Sequence, residues 1–63
     1  MNLYDVVELI SDVPEENLPA GSIGTIVHIF TAPEQAYEVE FADSEGRTLA
    51  TVALKPDDVR PSR

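Results

Sequence analysis

The chain has 63 residues, no cysteine and no tryptophan, and twelve acidic side chains oppose four basic ones for a formal net charge of -8. That size implies one domain over residues 1–63 with a small core, and it excludes a large enclosed catalytic chamber. Without cysteine there is no disulfide or thiolate metal site, and with only Arg47, Lys55, Arg60 and Arg63 as cations, generic nucleic-acid binding and anionic membrane surfaces are disfavoured.

The first ten residues have neither a basic leader nor an apolar stretch of signal-peptide type, and no apolar run nears the ~20 residues of a membrane span. A cytoplasmic protein is expected. Tyr4 to Ile10 (YDVVELI) reads as a strand. Leu3, Val6, Val7 and Ile10 also fit helical spacing, but the β-branched and aromatic residues favour the strand. Asp12 to Ser22 holds Pro14, Pro19 and Gly21, so it is a long loop with room for one helical turn at Pro14 to Leu18.

Ile23 to Phe30 (IGTIVHIF) is the strongest strand by composition, and Gly24 within it implies a bulge or a close backbone approach. A turn containing Pro33 follows. Ala36 to Phe41 alternates cleanly, with Tyr37, Val39 and Phe41 on one face and Glu38 and Glu40 on the other, as in an antiparallel strand with one buried side. Asp43 to Gly46 is a four-residue hairpin connection whose Gly46 suits a positive φ. Arg47 to Leu54 is a strand without alternation, so its inward face is not fixed. Lys55 to Asp58 reads as a 3₁₀-like turn, and Val59 and Arg60 as a short last strand that Pro61 stops.

Five short strands in so short a chain must curl to bury one face. The expected fold is therefore all-β, a small five-stranded SH3-like barrel with a long loop after the first strand and a 3₁₀-like turn before the last. Its edges should be short, with Pro61 and the many acids discouraging edge-to-edge pairing. The segments LYDVVEL (3–9), DVPEENLPAGSIGTIV (12–27), YEVEF (37–41), DSEGRT (43–48) and LKPDDV (54–59) together resemble a family of small bacterial proteins of unknown function. The resemblance covers nearly the whole chain. It implies an SH3-like barrel, assigns no catalytic residue, and hints at an antitoxin- or immunity-like role.

Two other likenesses carry less. Leu3-Tyr4-Asp5 is similar to the start of a peptide-binding SH3 motif, but there is no tryptophan for a proline-binding groove. Residues 21–26 are similar to the core of a KOW element, but the basic surface that accompanies it is missing. His28, the one histidine, could meet Glu38 and Glu40, yet these form a poor ligand set, and a surface strand histidine is the simpler reading. Asp57-Asp58 reads as a turn and cap rather than an acid–base dyad. No cofactor, metal or catalytic residue is expected.

The remaining candidates are acidic loops. Asp12, Glu15 and Glu16 belong to the long loop, and Asp57 and Asp58 to the turn that often faces that loop in SH3-like folds. Together they would form an acidic rim around Tyr4 and Leu18 for a Lys- or Arg-bearing protein. The bland alternative is a set of solvated loop acids. The expected function is a non-enzymatic interaction module that docks a basic protein surface. The alternatives are an antitoxin-like inhibitor of a basic enzyme such as a nuclease, or an accessory subunit of a larger complex.

Overall fold

A computed structural model describes residues 1–62. Five antiparallel strands form one sheet: β1 (Val6–Leu9), β2 (Ile23–Phe30), β3 (Ala36–Ala42), β4 (Thr48–Leu54) and β5 (Val59–Pro61). The spatial order is β4-β3-β2-β1-β5, so β2 to β4 form a meander and the last strand returns to pair with the first. Two 3₁₀ turns, Pro14–Glu16 and Pro56–Asp58, interrupt the connections, and both begin with a proline whose missing N–H is not needed there. The all-β expectation holds, and the curled sheet gives a small barrel-like domain.

One apolar cluster fills the interior. Val7, Leu9, Leu18, Ile26, Tyr37, Val39, Phe41, Leu54 and Val59 are buried in it. Burying each such large side chain is worth about 1.5–3 kcal/mol, which is why nine of them can hold so short a chain together. β3 follows the expected alternation, with Tyr37, Val39 and Phe41 inward. The Tyr37 hydroxyl accepts a hydrogen bond from Gln35 Nε2 at 3.3 Å, so its polar end is not stranded.

β2 hides its pattern in a bulge. Ile26 pairs with Val39 and His28 with Glu38, leaving Val27 as the extra residue. The side-chain parity flips there. Ile26 is buried and Ile29 packs against the same core, three positions on. Gly24 is therefore not the bulge. It marks a close approach: a Cβ there would lie 2.6 Å from Val39 Cγ1 and 2.9 Å from both the Glu40 carbonyl oxygen and Phe41 Cδ1.

β4 turns Ala50, Val52 and Leu54 toward the core and Leu49, Thr51 and Ala53 to solvent. The outward Leu49, 61% exposed, is what erased the alternation from the sequence. The ends of β1 and β5 also differ from expectation. β1 is shorter, Val6–Leu9, because Tyr4 takes a φ of +70°, outside the extended region, just before it. β5 does not stop before Pro61 but includes it, opposite Val7. A proline is tolerated there because β5 is an edge strand.

The β3–β4 hairpin is organised by Asp43. Its Oδ1 accepts the Glu45 and Arg47 N–H groups at 2.8 and 2.9 Å, and its Oδ2 accepts Arg47 Nε at 3.0 Å. Gly46 supplies the left-handed residue, with φ +84°. The Arg47 N–H is the main cause of an Asp43 carboxyl pKa below the usual carboxylate range. A pKa lowered by folding stabilises the fold above the ordinary carboxylate pKa, and that stability is lost as pH falls through the lowered value. Wild type should thus lose more stability than Asp43→Asn between pH 6 and pH values below about 4. Thermal melts across that range test it, and a difference between the two proteins that does not vary with pH would contradict it.

Candidate functional site

The long loop is pinned at its base and carries its charge outward. Val13 and Leu18 form an isolated bridge, with the Val13 and Leu18 N–H groups donating to each other's carbonyls at 2.7 and 3.1 Å. Between them lies the Pro14–Glu16 turn, ended by Asn17 in the left-handed conformation, which asparagine adopts more readily than most residues. Asp12 Oδ1 accepts the Ala20 N–H at 2.7 Å and braces the two arms of the loop. Glu15 and Glu16 project from the turn and are exposed.

The second turn is capped by its own acid, as expected. Asp58 Oδ2 accepts the Lys55 N–H at 2.9 Å, and the Asp58 N–H donates to the Lys55 carbonyl at 2.9 Å. Through the Ile10 N–H, the Asp58 carbonyl ties this turn to the end of β1. Asp57 is exposed beside it.

These supports bring part of the expected rim together. A cleft of about 290 Å³ opens between the long loop and the C-terminal half of β4. Asp12, Glu15 and Asp58 line it with Leu9, Val13 and Val52 to Leu54. Three carboxylates thus share one concavity, and none of the lining residues is basic. Glu16 and Asp57 lie beside the lining residues in sequence but outside the cleft wall.

Two expected rim residues take other places. Leu18 is 5% exposed and belongs to the core cluster, so it anchors the loop from below. Tyr4 is 69% exposed but precedes β1, whereas the acidic loop follows β1. Its N–H donates to the Ile26 carbonyl at 2.7 Å, and it does not line the cleft. The β4 wall, Val52 to Leu54, was missed by sequence reasoning. Only the curl of the sheet brings it opposite residues some forty positions earlier.

His28 stands on β2 opposite Glu38, and its ring meets Phe30 edge-on with centroids 4.5 Å apart. Among the described residues no three His, Asp or Glu side chains converge as a metal-binding group. No helix among them is long and apolar enough to cross a membrane.

The model of a family described as a domain of unknown function (DUF4926) matches residues 3–61. No curated protein and no solved structure matches the chain. The match spans nearly the whole chain, so the chain belongs to the DUF4926 family.

Proposed function

We propose that this DUF4926 member is a non-enzymatic, SH3-like interaction module of bacterial cytoplasm that docks a basic protein surface through its acidic loops. The observation that carries the reading is the cleft that Asp12, Glu15 and Asp58 line with no basic side chain among its walls. Carboxylates held in a concavity favour Lys or Arg side chains and disfavour phosphates. Asp12 and Asp58 are fixed by backbone hydrogen bonds, so two of the three charges are pre-organised. The SH3-like reading is supported by the β1–β5 pairing around a meander and by the 3₁₀ turn before the last strand.

The test uses Glu15→Gln, Glu16→Gln and Asp57→Asn combined. These exposed side chains make no hydrogen bond to the rest of the chain among the described residues, so the fold should be unchanged. Capture from lysate of the source organism should recover a basic protein with wild type at low salt, less of it at moderate salt, and least with the triple variant. Recovery of no partner at either salt would overturn the reading, as would a partner held equally well by the variant.

A further inference from the structure

The two edges of the sheet differ. β5 is three residues long, ends in Pro61, and carries Arg60 paired with Glu8 at 3.3 Å. β4 is seven residues long and has neither a charge nor a proline between Thr48 and Leu54. Among the described residues its backbone is hydrogen-bonded to β3 alone, so one side of the ladder is open. The expected protection of both edges by proline and acids therefore fails at β4. A strand that is long, uncharged and unpaired on one side is a template for another strand.

The cleft adjoins the C-terminal half of this same strand. Val52, Ala53 and Leu54 form one wall, and Asp12, Glu15 and Asp58 stand opposite. We infer that the open edge of β4 accepts an extended Lys- or Arg-bearing segment of a partner protein as a sixth strand. Its backbone would pair with β4, and its alternate side chains would reach the three carboxylates. A second copy of this chain fits the edge poorly, because two molecules of net charge -8 repel each other. The inference rests on the proposed function for the basic character of the partner and adds the mode of docking.

The test titrates the ¹⁵N-labelled full chain with two probes. One is a synthetic eight-residue peptide alternating Lys and Val. The other is a peptoid with the same side chains in the same order, which keeps the charge but has no backbone N–H. The peptide should slow hydrogen exchange at alternate amides of Thr48–Leu54 and shift the Asp12, Glu15 and Asp58 signals. The peptoid should bind at least about tenfold more weakly and protect no β4 amide. Equal binding of both probes, with shifts confined to the acidic residues, would overturn strand addition while leaving the basic-partner reading intact. No response to either probe would overturn the inference, with the lysate capture deciding the broader reading separately. Protection of β4 without peptide, together with a doubled mass in sedimentation, would overturn it in favour of a second copy.

Discussion

Phe41→Ala is expected to cost about 3–5 kcal/mol of folding stability. At the usual ~0.05–0.15 kcal/mol per residue, a chain of this length has about 3–9 kcal/mol in total, so the variant should lose at least about a third of its stability. Phe41 is 1% exposed and is the largest of the fully buried side chains. It lies between β2 and β4, opposite Gly24 on one side and Ala50 on the other, and neither neighbour can fill the space it leaves. Glu40→Ala is the control on the opposite face. It removes one surface hydrogen bond, from the Thr48 hydroxyl at 2.9 Å, and should change stability by no more than about 0.5 kcal/mol. Urea melts of the two variants measure both effects, and the reverse order would mean that the faces of β3 are exchanged.

Gly24→Ala should be nearly as damaging, at about 3 kcal/mol, from the opposite cause. It adds an atom where there is no room. Two of the three atoms that the new methyl would meet, Val39 Cγ1 and Phe41 Cδ1, belong to buried side chains, and the third is the Glu40 carbonyl oxygen. None can withdraw without disturbing the core or the β2–β3 ladder. Gly46→Ala separates this crowding from backbone conformation. A Cβ at Gly46 meets nothing within 4 Å, and only the positive φ penalises it, by about 1 kcal/mol. Melting curves that placed Gly24→Ala at or below the cost of Gly46→Ala would contradict the close approach.

The sequence carried the strand positions well and the strand faces unevenly. β3 was readable because a regular strand between two partners has an unbroken period of two. β2 was not, because the bulge at Val27 places Ile26 and Ile29 on the same side, a spacing that no simple period predicts. β4 was obscured by the small Ala50 on its inward face and by an outward leucine. The candidate site divides in the same manner. Its acids were visible as loop residues, and the Asp58 cap followed from its place after proline. The burial of Leu18 was not visible, since it depends on the Val13–Leu18 bridge folding the loop back onto the core. Nor was the β4 wall of the cleft, which is a product of curvature rather than of local pattern. An uncharged seven-residue run beside a hairpin was the one signal available for it.

The return of the last strand to the first has a consequence in time. Val7 pairs with Pro61, and the Ser62 N–H reaches the Val6 carbonyl at 3.0 Å, so the two ends of the described chain are neighbours. The β2–β4 meander needs only local contacts, whereas β1 and β5 must find each other across nearly the whole sequence. During synthesis the middle of the sheet can assemble on its own, but Val7, Leu9 and Val59 cannot all be shielded from water until the last strand has emerged from the ribosome. For that interval Val7 and Leu9 lack their β5 neighbours, and the core closes only once Val59–Pro61 has emerged and paired with β1.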